Sequence, residues 1–263
     1  MRVILAVIML LSASAAARAD ETRAVRQWMH SRLSAELAAP RPRLHLVSSF
    51  TMPLVTDVVT TQNGRSRQLL ALLKDHLQQW RWRRWHCAEL IDLHLINGFM
   101  QSAGAAVDVA VDARQLRACL ESARLLDVAN ALLFSCRFAR HPDRRLIDGG
   151  LRQLLAAQLA DGSFRRRDGS GSYYLTSHAL LALHYCGADA GAITRSRDNI
   201  ERQLPAFRRD GFADGVAETL IFLRWTGAPA HDEAGYLRWL KSLIAPDGGL
   251  CKHHYPGCRP RWH

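Results

Sequence analysis

The sequence predicts an all-α protein made of repeated helical hairpins, and two patterns support this prediction. Four apolar segments align without gaps, and each has a small residue followed by a polar one. The polar residues lie 41, 48 and 40 positions apart (130 − 89, 178 − 130 and 218 − 178), which is a period typical of helix-pair repeats. The last three segments are each followed by an amphipathic segment that ends in an Asp-Gly turn, beginning at Asp161, Asp210 and Asp247. An apolar inner helix and an amphipathic outer helix, repeated along the chain, form either an open solenoid or a closed toroid.

The composition fits a folded, basic protein. Of the 263 residues, 48% are hydrophobic and 22% are charged, which excludes a chain disordered throughout its length. The chain has 35 Lys and Arg against 24 Asp and Glu, a formal net charge of +11. Nearly all of the positive charge comes from arginine, because the only lysines are Lys74, Lys241 and Lys252.

Residues 1–19 have the pattern of a secretory signal peptide. Arg2 precedes an apolar run over residues 3–11, which is too short to cross a bilayer as a helix. The run is followed by small residues that end in Ala17-Arg18-Ala19, a typical cleavage pattern. We therefore expect an exported protein, periplasmic or secreted; the alternative is an uncleaved N-terminal anchor. No later apolar run is long enough for a transmembrane span.

The expected elements follow in chain order. Residues 20–84 form an N-terminal helical segment, with helices over Glu21 to Leu37 and Arg65 to Arg81. Between them, Arg41 to Gly64 is expected to be extended, because it contains prolines and a β-branched run. Residues 85–263 contain the hairpin repeats. Their inner helices begin near residues 88, 129, 177 and 217, and their outer helices are expected over 143–159, 194–207 and 232–244.

One turn carries a family resemblance. Residues 158–164, with Gln158, Gly162 and Phe164, resemble the Gln-x-x-x-Gly-x-Trp/Phe turn of terpenoid cyclases and protein prenyltransferase β subunits. Residues 174–183 resemble the helix that follows this turn in those families. The likeness extends over about residues 144–190, is degenerate over 205–251, and is reduced to periodicity over 85–140. It implies a closed α/α toroid around a central cavity, with fewer hairpins than in those families.

The same resemblance does not extend to the chemistry of those families. The sequence has no Asp-x-Asp-Asp run, which terpenoid cyclases of the squalene–hopene type use to protonate their substrate. The Asp-x-Cys and distant His of the prenyltransferase zinc site are also absent from their usual context. The resemblance therefore predicts the fold alone.

The four equivalent polar positions give the candidate site, and we call them the polar ring: Glu89, Asn130, His178 and Glu218. In a closed toroid, equivalent positions of inner helices face one cavity at one depth. Because a buried charge is costly unless it is paired, these side chains predict either a functional site or a closed hydrogen-bond network. Alternatively, each side chain caps the start of its own helix.

Two kinds of chemistry suit the polar ring. His178, Glu89 and Glu218, joined by His254, have the residue types that bind a divalent metal such as zinc. Without a metal, the same His178, Glu89 and Glu218 form a catalytic acid–base group. Asn130 would then orient a substrate or water.

Two further residues are candidates for substrate binding. Asp92 lies three residues after Glu89, on nearly the same helix face, and would add to the acidic side of the cavity. Tyr174 precedes the His178 helix and would line the cavity mouth, although both residues also suit ordinary packing.

The six cysteines predict disulfides, because the count is even and the protein is expected to be exported. Cys251 and Cys258 are close in sequence within a loop containing Gly and Pro, so a local bridge between them is favoured. Such a bridge would present His253 and His254 to the polar ring. The alternative is zinc ligation by these four residues, in a spacing that is not standard for structural zinc.

Two basic segments are candidate surfaces for an anionic small molecule or glycan. Residues 80–85 interleave three Trp with three Arg, and Arg165 to Arg167 are consecutive. Both suit anionic partners, but they also fit a surface enriched in arginine throughout. The sequence contains no recognised nucleic-acid-binding module, Gly-rich phosphate loop, Gly-x-Ser-x-Gly elbow or His-Glu-x-x-His motif.

These observations support two hypotheses from different classes. In the first, the protein is an exported enzyme that uses the polar ring to hydrolyse a polar or anionic substrate or to catalyse an elimination on it. In the second, it is a disulfide-stapled helical scaffold that binds a partner through its Arg/Trp surface. In the enzyme the polar ring converges, whereas in the scaffold its members are separated and cap their own helices.

Overall fold

The computed structural model describes residues 19–39, 42–61, 64–79, 85–102, 104–105, 111–139, 142–165, 169 and 171–243. Within these ranges the protein is all-helical, and the only β-type pairing is at isolated bridges in one turn. The predicted signal peptide and the segment with Cys251, His254 and Cys258 lie outside the described residues. The helices, with one short 3-10 helix at Cys87–Glu89, are α1 Ala19–Leu37, α2 Leu44–Thr61, α3 Gly64–Gln79, α4 Leu90–Ser102, α5 Ala113–Leu120, α6 Leu125–Phe138, α7 Arg144–Ala157, α8 Tyr173–Tyr185, α9 Ala190–Arg202, α10 Leu204–Arg209, α11 Ala213–Trp225 and α12 Glu233–Ser242.

The inner layer consists of α2, α4, α6, α8 and α11, each of which packs against the next. These helices are apolar around much of their circumference: residues 127–135 of α6 and 175–183 of α8 are all buried. The outer helices α5, α7, α9 and α12 are amphipathic, and they pack against inner helices through one face. The sequence pattern of apolar and amphipathic helices is therefore confirmed as all-α hairpins.

An aspartate begins each outer helix, and this is a repeat signal that the sequence analysis did not use. Asp112, Asp143, Asp189 and Asp232 each accept a hydrogen bond from a backbone N–H of the first helical turn. Such caps satisfy donors that the helix itself leaves unpaired. The cap at Asp189 explains why α9 starts at Ala190 rather than at the predicted Thr194.

The prediction of an extended segment from Arg41 to Gly64 is wrong, because residues 44–61 form helix α2. Leu44, Val47, Thr51, Leu54 and Val55 are buried at helical spacing and pack into the interface with α4. The tertiary burial of this face outweighs the low helix propensity of Val and Thr. The helix continues through Pro53.

The turn that carries the family resemblance follows the outer helix α7 and packs against the next outer helix, α9. Gln158 Nε2 donates to the Ala192 carbonyl (2.9 Å) and to Ser196 Oγ (2.8 Å), both on α9. Gly162 has φ +86°, and a Cβ atom there would lie 2.0 Å from the Arg195 carbonyl oxygen, so only glycine fits. Phe164 is fully buried. The turn therefore fixes α7 against α9 through a side chain, a glycine and an aromatic anchor.

Two disulfides link the repeats. Cys87–Cys119 joins the 3-10 helix to α5, and Cys136–Cys186 joins α6 to the residue that follows α8. Within the described ranges no cysteine is free. The predicted bridge between Cys251 and Cys258 lies outside those ranges and stays a prediction.

Aromatic side chains at the C-terminal ends of α6, α8 and α11 contact α4. The His94 ring of α4 contacts Phe138 of α6, Tyr185 of α8 and Trp225 of α11, with centroids 5.2, 5.3 and 6.3 Å away. Phe99 of α4 also contacts Trp225, at 5.5 Å. These contacts join α4 to α11, two inner helices that are not neighbours in the chain order. A membrane-spanning helix, long and apolar enough to cross a bilayer, is not found in the part of the chain that the structure describes.

Candidate functional site

The polar ring lies at the start of the inner helices, and two of its members are in direct contact. Asn130 Oδ1 of α6 and His178 Nδ1 of α8 are 2.7 Å apart, and both residues are buried. Asn130 Nδ2 also donates to the Cys87 carbonyl oxygen at 3.3 Å. Asn130 therefore links the 3-10 helix before α4 to the imidazole of α8.

These two hydrogen bonds together determine the tautomer of the neutral His178 imidazole. The Cys87 carbonyl can only accept, so the Asn130 amide must present its NH2 group to that oxygen. Its own oxygen then faces His178, and because this oxygen only accepts, Nδ1 must carry the proton. Nε2 is then the nitrogen with the lone pair, which is the arrangement of a histidine base oriented by a third group.

Glu218 contacts a tyrosine of the neighbouring inner helix. The Tyr173 hydroxyl lies 3.5 Å from Glu218 Oε2, 3.2 Å from the Gly215 carbonyl oxygen and 3.0 Å from Thr219 Oγ1. Burial raises the pKa of the Tyr173 phenol well above its ordinary value, and the Glu218 carboxylate raises it further. Tyr173 is therefore a neutral hydroxyl beside a carboxylate. His178 contacts the same helix as Glu218 through Phe222, four residues further along, with ring centroids 6.4 Å apart.

Glu89 is placed differently from the other three. It ends the short 3-10 helix, is half-buried, and its Oε2 accepts from the backbone N–H of His86 at 2.8 Å. This is the helix-capping arrangement that the sequence left as the alternative. Glu89 therefore has a structural role at the start of its own hairpin.

The predicted metal ligands do not form a metal-binding group on their own. Among the described residues, no group of three or more His, Cys, Asp or Glu is placed to hold a metal ion. Glu89, His178 and Glu218 are all among those residues, whereas His254 is not. The same three residues, predicted as one catalytic group, are divided between a helix cap, a pair with Asn130 and a contact with Tyr173.

The two predicted substrate-binding candidates beside the polar ring have different positions. Asp92 is buried and its Oδ1 accepts from Ser48 Oγ of α2 at 2.7 Å, so it ties α4 to the N-terminal helices. Tyr174 exposes 42% of its surface and lines a cleft.

The cleft has a volume of about 640 Å³ and lies at the N-terminal ends of α6 and α8. It is one helical turn from the Asn130–His178 pair, because Leu126 and Tyr174 precede those residues by four positions on the same helices. Its lining combines apolar side chains, two arginines and one serine: Ala123, Arg124, Leu125, Leu126, Ala157, Arg165, Ser172, Tyr174 and Leu175.

A second polar cluster joins α4 to the C-terminal ends of α6 and α8, and the sequence patterns did not predict it. Arg137 Nη1 lies 3.2 Å from both His94 Nε2 and the Tyr185 hydroxyl, and its guanidinium stacks over the rings of Phe138 and Tyr185. Burial lowers the pKa of His94 well below its ordinary value, and the Arg137 charge, with that of His178 when it is protonated, lowers it further. Gly98 makes room for the guanidinium, since a Cβ there would lie 3.1 Å from Arg137 Nη1.

The predicted basic surfaces are described only in part. Residues 80–84 lie outside the described residues, and Trp85 is buried. Arg165 is exposed and lines the cleft, whereas Arg166 and Arg167 are outside the described residues. Comparisons with family models, with curated proteins and with solved structures gave no match to this chain.

Proposed function

We propose that this protein is an exported enzyme in which His178, oriented by Asn130, acts as a general base. The observation that carries the proposal is the pair of hydrogen bonds through which Asn130 connects the Cys87 carbonyl to His178 Nδ1. These bonds leave Nε2 as the basic nitrogen of the neutral ring. The reaction class is hydrolysis of, or elimination on, a polar or anionic substrate bound in the adjacent cleft.

The chemistry follows from the orientation of the ring. In a hydrolysis, Nε2 takes a proton from water as its oxygen attacks the substrate, and the resulting imidazolium returns the proton to the leaving group. In an elimination, Nε2 takes the proton from a substrate carbon, the C–H electron pair forms a double bond to the adjacent carbon, and the leaving group departs from that carbon and receives the proton from the imidazolium. In both cases the Asn130 oxygen accepts from Nδ1–H and so favours the imidazolium that forms. Glu218 lies beside the neutral Tyr173 hydroxyl on the neighbouring inner helix and is the nearest candidate for a second charged group.

The proposal assigns His178 the role of a base rather than that of a metal ligand. A catalytic zinc site takes three protein ligands. Glu89, His178 and Glu218 form no such group, and Glu89 caps its own helix. Glu89 is therefore left out of the proposed chemistry.

We also propose that the hairpins close into an α/α toroid like that of the terpenoid cyclases and prenyltransferase β subunits. The support is the turn at residues 158–164 and the contacts of His94 and Phe99 with Trp225, which join the first hairpin of the repeat region to the last inner helix. Export to the periplasm or outside the cell is supported by the two disulfides and by the signal-like pattern of residues 1–19.

The scaffold hypothesis is favoured by one observation, the capping role of Glu89. It predicts that the Asn130–His178 pair only stabilises the fold. The two hypotheses therefore differ in what the loss of the imidazole does to a protein that stays folded.

The experiment measures turnover of aryl esters, amides and a polyuronate by the wild type and by His178→Gln. We expect the variant to lose about 10² to 10⁴ in kcat/KM, the usual contribution of a general base. His184→Gln on the same helix is the matched control and should retain activity, because that side chain is outside the polar ring. Wild-type protein inactive on every substrate, or equal activity in the His178→Gln variant, would contradict the enzyme proposal.

A further inference from the structure

We infer that the cleft beside His178 binds a monomeric amphipathic anion, an apolar chain or ring system that ends in one carboxylate. The inference rests on the proposed function and names its substrate class. Three features carry it: the size of the cleft, the apolar character of its lining, and the charge of that lining.

The size and lining suit an apolar body. The volume of about 640 Å³ is within the range of pockets that hold small organic molecules, about 300 to 1,000 Å³. Six of the nine described lining residues are apolar or aromatic, and Tyr174 is partly exposed at the cleft. Exposed apolar surface in a concave site is stabilised by an apolar ligand that removes it from water.

The charge of the lining selects the head group. Arg124 and Arg165 line the cleft, and the described residues of its lining include no carboxylate. Arg124 is already paired with Asp127, with 3.8 Å between Nε and Oδ2. The described lining and this partner therefore carry one net positive charge, which matches a carboxylate better than a phosphate monoester with its charge of about −1.5 to −2.

The position of the cleft connects this ligand to the proposed base. Leu126 and Tyr174 lie one turn before Asn130 and His178 on the same helix faces. A ligand whose carboxylate pairs with Arg165 would extend its apolar part over Leu126 and Tyr174, one turn from the imidazole. The ligand class thus combines the apolar lining with the anionic substrate expected of a basic protein.

The test is a calorimetric titration of the purified protein with dodecanoate, at concentrations where the probe stays monomeric. Dodecanol has the same chain without the charge, and butyrate has the charge without the chain. We expect one dodecanoate per protein, with weaker binding of both comparison compounds. Shortening the chain should weaken binding by no more than about fourfold per methylene, since the cleft is open to solvent.

Variants separate the charge from the cavity. Arg165→Gln should weaken dodecanoate binding by about threefold to tenfold, between the effects of an exposed ion pair and a charged hydrogen bond. Ala157→Trp should abolish it by filling the cleft, and Tyr174→Ala should weaken it without adding bulk. Arg145→Gln, an exposed arginine of α7 outside the cleft, is the matched control and should bind like the wild type.

Several results would overturn the inference. If dodecanol binds as tightly as dodecanoate, the charge of the ligand does not contribute to binding. If Ala157→Trp binds dodecanoate as tightly as the wild type, the ligand does not bind in this cleft. Protein that sediments with anionic vesicles but binds no monomeric dodecanoate assigns the arginines to a lipid surface instead.

The same titration with His178→Gln separates this inference from the proposed function. If His178→Gln binds dodecanoate as tightly as the wild type and also keeps full turnover, the enzyme proposal fails while the ligand class stands. Turnover that depends on His178, in a protein that binds no dodecanoate, means that the ligand class alone fails.

Discussion

Replacing Asn130 by leucine removes the connection between the 3-10 helix and the His178 imidazole while keeping a side chain of similar size. Two hydrogen bonds are lost, at 3.3 Å to the Cys87 carbonyl oxygen and at 2.7 Å to His178 Nδ1. The Cys87 oxygen still accepts from the backbone N–H of Leu90, so its loss is that of an ordinary bond, about 0.5–1.5 kcal/mol. The buried Nδ1–H loses its acceptor, at about 1–3 kcal/mol. The free energy of unfolding should therefore fall by about 1.5–4.5 kcal/mol.

The assay is urea unfolding with linear extrapolation, in which an unchanged slope shows that only stability has changed. Gln153→Leu is a matched control, because it removes a single part-buried bond to the Ser122 carbonyl and should cost about 0.5–1.5 kcal/mol. A loss for Asn130→Leu no greater than that for Gln153→Leu would show that Asn130 makes no second buried hydrogen bond, to His178.

The Asn130→Asp variant tests the electrostatic part of the same argument. A carboxylate at this position still accepts from His178 Nδ1–H and adds a negative charge, which favours the imidazolium and raises the pKa of His178. It also loses the donor to the Cys87 carbonyl, so the protein should be less stable than the wild type. The acidic limb of the pH–rate profile, where activity rises as the base loses its proton, should move to higher pH. A limb that stays in place would show that His178 is not the base.

Three further predictions concern the fold. Replacing Cys136 and Cys186 by serine opens a loop whose ends are 50 residues apart. The lost restriction of the unfolded chain should lower the free energy of unfolding by about 4 kcal/mol, and a loss under about 1 kcal/mol in a urea titration would contradict this prediction. Gly162→Ala should lower the free energy of unfolding by more than the roughly 1 kcal/mol that an alanine costs in a left-handed backbone conformation, because its Cβ would also clash with the Arg195 carbonyl oxygen. An unchanged Tm would show that this turn is not tightly packed. Burial lowers the pKa of His94 below the ordinary 6.5, so between these two values the unfolded chain binds more protons than the folded protein, and the free energy of unfolding falls as the pH falls. His94→Leu should make the melting temperature less dependent on pH in this range. An unchanged pH dependence would assign the effect to other groups.

Much of the fold could be predicted from sequence periodicity. The helical hairpins follow from the spacing of apolar residues, which depends only on local geometry. Helix α2 could not be found in this way, because the propensity of its Val and Thr residues argued against a helix and only its packing on α4 overrides that preference. The Asp caps of the outer helices were present as a signal at Asp112, Asp143, Asp189 and Asp232, and were overlooked.

The candidate site could be predicted in part. Equivalence of repeats placed Asn130 and His178 at one level, and the structure brings them into contact. For Glu89 the structure shows the capping arrangement, because its hairpin begins with a 3-10 turn that the carboxylate caps. The Arg137–His94 contact could not be found, since it depends on tertiary packing around Gly98.

The most direct test of the account is the tautomer of His178, read from the side-chain nitrogen signals of the 15N-labelled protein and assigned by their loss in His178→Gln. Neutral His178 should carry its proton on Nδ1 and have an unprotonated Nε2, and Asn130→Leu should weaken this tautomer preference. A neutral His178 with its proton on Nε2 would contradict the orientation by Asn130, and with it the assignment of His178 as the base.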